Sequence, residues 1–120
     1  MIDQLNHILA LARSAWGHTQ IITPAQDMAL GAVVARDGAL ALNGAPVYGV
    51  ALHPVAAGEP LLIQLDGIVT CVAGGRVAPG DWVAAATDGR VATAGRAWLM
   101  GVALDYAFAP AHPLRVRVGG

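Results

Sequence analysis

Four histidines, His7, His18, His53 and His112, are the side chains best suited to bind a metal or move a proton near neutral pH. They lie 11, 35 and 59 residues apart, and none stands beside a cysteine or carboxylate at metal-ligand spacing. His53 and His112 each precede a proline, so exposed turn histidines are the ordinary reading and a shared metal site the sharper one. Three acids, Asp37, Asp66 and Asp88, each precede a glycine. Acid–base chemistry would need them to converge on one pocket with split pKa values. As turn residues their side chains satisfy local backbone amides, which accounts for both identity and position. Ser14 is the only serine and lacks a Gly-x-Ser-x-Gly context. The run Gly74-Gly75-Arg76-Val77-Ala78-Pro79-Gly80 has no lysine, and Pro79 removes an amide that a phosphate would need. Cys71, the only cysteine, sits in an apolar run and reads as a small buried hydrophobe. No catalytic residue, metal or cofactor is assigned, and the chain is expected not to be an enzyme.

Residues suited to contact are better represented. Arg115 and Arg117 alternate with Leu114, Val116 and Val118, so both arginines project from one face of a strand. That face is either solvated or poised for an acidic partner. Trp82 and Trp98 lie among alternating apolar neighbours; core packing is the default, and the centre of an interface is the alternative. Ile2, Leu5, Leu9, Ala12 and Trp16 recur at steps of three and four and predict a helix over residues 2–16. Asp3 and Arg13 suit its dipole, and Gly17 suits its C-terminal cap. The helix is read as a lid on a β-core or an arm on a neighbouring subunit. The interface candidates are therefore Ile2, Leu5, Leu9, Trp16, Trp82, Trp98, Arg115 and Arg117.

The elements that must hold these residues announce themselves by repetition. Gly49-Val50-Ala51-Leu52 returns as Gly101-Val102-Ala103-Leu104, 52 residues on, with Asp37-Gly38 and Asp88-Gly89 upstream of the two copies. Two copies are too few for a solenoid, so one domain with a duplicated β-unit is expected: residues 1–17 as helix and 18–120 as β domain, the copies covering about 31–67 and 80–120. Ten short strands are predicted, among them Ala39–Leu42, separated by turn dipeptides. Asp37-Gly38, Asn43-Gly44, Asp66-Gly67 and Asp88-Gly89 suit type I′ hairpin turns, whose two central residues both take positive φ. The expected fold is mainly β, a small antiparallel barrel or β-clip-like domain with one N-terminal helix.

Composition points the same way. The hydrophobic fraction is 56% and the charged fraction 12%, about half the share usual in soluble domains. The longest charge-free run, Gly38 to Gly58, holds Gly44, Gly49, Pro46 and Pro54, so it makes no membrane-spanning helix. The small side chains, 25 alanines against six aromatics, bury little area each, and subunit packing is expected to supply part of the stability. With seven arginines, no lysine and a net charge of −1, nucleic-acid binding is not expected. The N-terminus lacks the pattern of a signal peptide, which suggests synthesis in the cytoplasm.

Taken together and in order, several stretches resemble the bacteriophage capsid cement, or head decoration, family. They are Gly49-Val50-Ala51-Leu52, Ala56-Ala57-Gly58-Glu59-Pro60, Gln64-Leu65-Asp66-Gly67-Ile68-Val69, Val77-Ala78-Pro79-Gly80-Asp81-Trp82-Val83, Asp88-Gly89-Arg90-Val91-Ala92-Thr93, Met100-Gly101-Val102-Ala103-Leu104 and Leu114-Arg115-Val116-Arg117-Val118. The resemblance covers roughly residues 19–118. It implies a small β domain on the outside of a phage head, commonly trimeric, that reinforces the shell without catalysis. It also implies a virion location and the major capsid protein as partner. A head-spike base, a tail accessory and a small ligand-binding barrel are the alternatives. The helix of residues 2–16 departs from the short extended arm that usually opens that family.

Overall fold

The computed structural model describes residue 10, residues 17–94 and residues 98–119. The helix expected over residues 2–16 lies outside the described residues, Ala10 excepted, and so do the interface candidates Ile2, Leu5, Leu9 and Trp16. What is described is β-structure with almost no helix: β1 (Thr19–Ile22), β2 (Val33–Val34), β3 (Gly49–Ala51), β4 (Leu61–Gln64), β5 (Gly67–Val72), β6 (Trp82–Ala85), β7 (Val91–Thr93), β8 (Leu99–Ala103) and β9 (Pro113–Val118). They form two antiparallel sheets, ordered β1-β4-β3-β2 and β5-β9-β8-β6-β7.

The two sheets are wired alike. β3 pairs with β2 and β4 as β8 pairs with β6 and β9, and the first strand of each unit, β1 or β5, lies outside the last. The isolated bridge Met28–Val55 in the first unit has its counterpart in Val77–Ala107 of the second. Matching pairs carry the correspondence residue by residue. Val33–Val50, Val50–Gln64 and Thr19–Gln64 stand in the first unit where Trp82–Val102, Val102–Arg117 and Ile68–Arg117 stand in the second. The likeness thus begins at β1 and β5, N-terminal to the copies seen in the sequence.

No closed barrel forms. Closure needs the edge strands of a sheet to pair along their length; β1 and β2 edge one sheet, and β5 and β7 edge the other, meeting only through the single bridge Ala73–Val91 just past β5. Asp66-Gly67 is where the expectation of a hairpin fails. Gly67 has φ +85, as its turn requires, but the chain passes there from β4 of one sheet to β5 of the other. The buried Gln64 seals that passage, its Nε2 donating to the carbonyl oxygens of Asp66 at 2.9 Å and Ile68 at 3.0 Å. Asp88-Gly89 does make the expected type I′ hairpin, with φ +60 and +73 at its central residues, and joins β6 to β7. The strand predicted over Ala39–Leu42 reduces to a single bridge, Val34–Leu40. Beyond it the Asn43-Gly44 turn leaves the first sheet. Gly44 N–H donates to Ala85 and Gly44 O accepts from Trp98, both in the second unit.

The layers are unequal. The first sheet packs one face on its own cluster of Met28, Ala32, Val34, Ala51, Leu61 and Ile63. Its other face contributes Val33, Val50 and the nearby Ala41 to the cluster built on Val69, Val83, Ala103, Leu114 and Val116 of the second unit. Burial on both faces yields unbroken apolar strands, and Leu61-Leu62-Ile63 is fully buried. The second sheet packs one face on this shared cluster and leaves the other largely open. Its β9 alternates accordingly, with Leu114 and Val116 buried and Arg115 and Arg117 exposed.

Candidate functional site

The face left bare is the outer side of the second sheet. Cross-strand pairing sets Ile68, Arg117, Val102 and Trp82 in one row over β5, β9, β8 and β6, because directly paired residues share a side of the pleat. Leu99, paired with Ala84, adds a further exposed apolar side chain. In the first unit the same four positions are Thr19, Gln64, Val50 and Val33. There Val33 and Val50 are buried against the second unit, at 0% and 1% exposure. The second unit has Trp82 in the slot of Val33, with 54% of its surface exposed, and Arg117 in the slot of Gln64.

Trp82 and Trp98 therefore do not pack in the core, as the default sequence reading had it. Trp98, 69% exposed, sits just before β8 with its backbone N–H on Gly44 O and is not part of the row. Of the sequence candidates, Trp82, Arg115 and Arg117 come together on this face.

Arg115 is already engaged. Its Nε and Nη2 donate to the Asp105 carboxylate at 2.9 and 2.8 Å, and its backbone N–H donates to Asp105 Oδ2 at 2.9 Å. The guanidinium and the amide together hold the Asp105 carboxyl down to about 2. Arg117 is in neither ion pair found among the described residues, so it is the cation this face can offer an outside group.

The first unit repeats this amide-capping device in apolar form. His53 follows Leu52 as Asp105 follows Leu104, and its Nε2 accepts the Leu62 N–H at 3.0 Å, where Leu62 is the counterpart of Arg115. The proton then sits on Nδ1, which faces Pro54 O at 3.2 Å. His53 is buried, at 6% exposure, and not the exposed turn residue expected from the sequence. A neutral ring suits the enclosed copy and a carboxylate–guanidinium pair the solvated one.

The remaining chemical candidates disperse. Asp37 Oδ1 accepts the Ala39 N–H, as a turn residue should. Asp66 instead ties His18, accepting its backbone N–H and its Nδ1, each at 2.8 Å, and these bonds hold its carboxyl below the usual range. His112 is exposed, edge-on to Phe108. Burial pushes the Cys71 thiol up to about 12. Among the described residues no cluster of His, Cys, Asp and Glu could hold a metal. What the geometry offers is a largely apolar contact surface with one free guanidinium.

Sequence reasoning also passed over Tyr106 and Phe108. Both are exposed, their rings stacked 5.6 Å apart at 11°, and they line a hollow of about 330 Å³ with Arg76 and Asp81. The signal was available, since two of only six aromatics stand two residues apart in the loop after the second Gly-Val-Ala-Leu string.

A family model described as phage cement protein matches residues 15–119. Among solved structures, the fold is similar to that of the head fiber gp8.5 N base in bacteriophage phi29, with a TM-score of 0.70 and 13% sequence identity. The likeness covers 85% of this chain and 93% of that one. No curated protein matches the sequence.

Proposed function

We propose that the chain, which belongs to the phage cement protein family, binds the outer surface of an assembled phage capsid through the bare face of its second sheet and stiffens the shell without catalysis. The observation that carries this reading is the exchange of the buried Val33 and Gln64 of the first unit for the exposed Trp82 and Arg117 of the second. A fold that is satisfied by small, covered side chains in one copy has no structural need of an exposed indole and guanidinium in the other. Tryptophan and arginine are the side chains that most often anchor protein interfaces. Association as a homotrimer belongs to the same reading, because several modest contacts engaged together give durable attachment. The protein would be made in the host cytoplasm and end on the virion surface, with the major capsid protein as its partner and neither nucleic acid nor membrane involved.

Co-sedimentation with expanded capsid shells purified without the protein tests this. Trp82→Ala and Arg117→Glu are each expected to weaken shell binding by about tenfold or more, with thermal unfolding unchanged. A wild-type chain with no affinity for such shells would overturn the reading.

The likeness to a head fiber base supports a second reading, in which the domain roots a fiber on the head. Electron microscopy of particles separates the two: cement covers the lattice, whereas a base marks fiber attachment points.

A further inference from the structure

The stacked Tyr106 and Phe108 invite the same internal comparison. Counting back 52 residues, their positions in the first unit hold Pro54 and Ala56, and the matching bridges Met28–Val55 and Val77–Ala107 flank both loops. The loop therefore closes without aromatics. In the second unit the rings are 59% and 63% exposed, with Arg76 and Asp81 beside them.

The first unit carries a hollow of fitting character. A groove of about 490 Å³ is lined by Arg36, Asp37, Leu40, Leu42, Ala45 and Pro46, among others. Leu42, 76% exposed, stands on its wall. Both places pair an apolar centre with one guanidinium and one carboxylate. The acids keep spare acceptors. Asp37 spends Oδ1 on the Ala39 N–H, and Asp81 spends Oδ2 on the Ala78 N–H and the Thr93 hydroxyl. Arg36 lies over the Tyr48 ring at 5.7 Å, which leaves its edge donors available.

From this we infer that copies of the chain associate head to tail, the Tyr106–Phe108 loop of one seated in the first-unit groove of the next. Arg76 then faces Asp37 and Asp81 faces Arg36, so the charges pair in the docked register and clash in the reversed one. Because ring loop and groove are different surfaces of one chain, the contact is heterologous and each copy keeps one of each for its neighbours. The inference deepens the homo-oligomer reading above and rests on it.

The test uses the full chain and two variants, Tyr106→Ala/Phe108→Ala and Leu42→Arg, sized by light scattering. All three side chains are exposed, so folding is expected to survive, checked by circular dichroism. The wild type is expected to be an oligomer and each variant alone a monomer. Mixed in equal amounts, the variants should form one-to-one dimers, since one retains an intact groove and the other intact rings. Asp37→Arg should raise the dissociation constant by about tenfold or more, and adding Arg76→Asp should restore it. Dimers in the mixture also establish that both variants are folded. Variants that stay oligomeric, a mixture that stays monomeric, or loss of shell binding without loss of self-association would overturn the head-to-tail contact alone. A monomeric wild type would overturn the homo-oligomer reading with it.

Discussion

At the level of single residues, the two units solve one problem with different chemistry. The β4 amide of Leu62 and the β9 amide of Arg115 each need an acceptor from the residue after Gly-Val-Ala-Leu. His53 serves where the surroundings are apolar, so His53→Leu strands a buried amide and should cost about 1–3 kcal/mol in chemical denaturation. Asp105 serves where water reaches. Its carboxyl falls from 3.8 to about 2 on folding, with Arg115 as the cause. A depressed carboxyl contributes stability above its unfolded value, and that contribution is lost as pH falls through the folded one. Wild type should therefore be more stable than Asp105→Asn at neutral pH, with the gap closing between about pH 4 and 2; a gap that stays constant across a pH series of thermal melts would contradict this. Cys71 gives an independent check on the core. Buried, with its thiol raised to about 12, it should resist alkylating reagents at pH 8 until denaturant opens the domain.

At the level of elements, position in the stack decides what a strand can bear. Val33 and Trp82 occupy the same slot of β2 and β6, yet one is buried against the second unit and the other faces water. Val33→Ala should cost about 2 kcal/mol through lost burial and the space left behind, while Trp82→Thr should stay within about 0.5 kcal/mol. Urea denaturation of the two variants measures the difference directly. The pairing of β8 and β9 is intolerant in another way. A Cβ on Gly101 would run into the Arg117 carbonyl, so Gly101→Ala must force the pair apart, whereas Gly75→Ala meets open space. Much of this was legible in the sequence. The returning Gly-Val-Ala-Leu string, the Asp88-Gly89 hairpin and the alternation of Arg115 with Leu114 and Val116 each have local causes in turn chemistry and pleat. Asp66-Gly67 misled because a positive-φ turn suits a hairpin and a change of sheet equally well. Trp82 misled because its burial depends on which face the other unit covers, and His53 and Trp98 because they stand outside the strands, where alternation says nothing of burial. The bare face could have been suspected by setting the copies side by side, where Val33 becomes Trp82 and Gln64 becomes Arg117.

At the level of the whole molecule, the second unit covers a face of the first, while the matching face of the second stays largely open, with Trp82 and Arg117 exposed, Ile68 and Val102 half-buried and Ala84 buried. A two-unit stack of this kind ends in one uncapped sheet, and in repeat architectures such ends are either made polar or given a partner. Here the end carries Ile68, Val102, Leu99 and Trp82 around a single unpaired guanidinium, a composition that favours the partner. The net charge of −1 gives no long-range attraction to steer the approach. Attachment to a shell should then depend on area and fit, with Arg117 contributing register, and a charged side chain at such a position is screened only modestly once enclosed. Raising sodium chloride from about 50 to 500 mM should weaken shell binding by less than about tenfold. Arg117→Gln should flatten what salt dependence there is, and Trp82→Ala should lower affinity while leaving that dependence intact. A steep loss of binding with salt would mean that the shell is held by a charged surface elsewhere on the chain, and the exposed sheet would need another explanation.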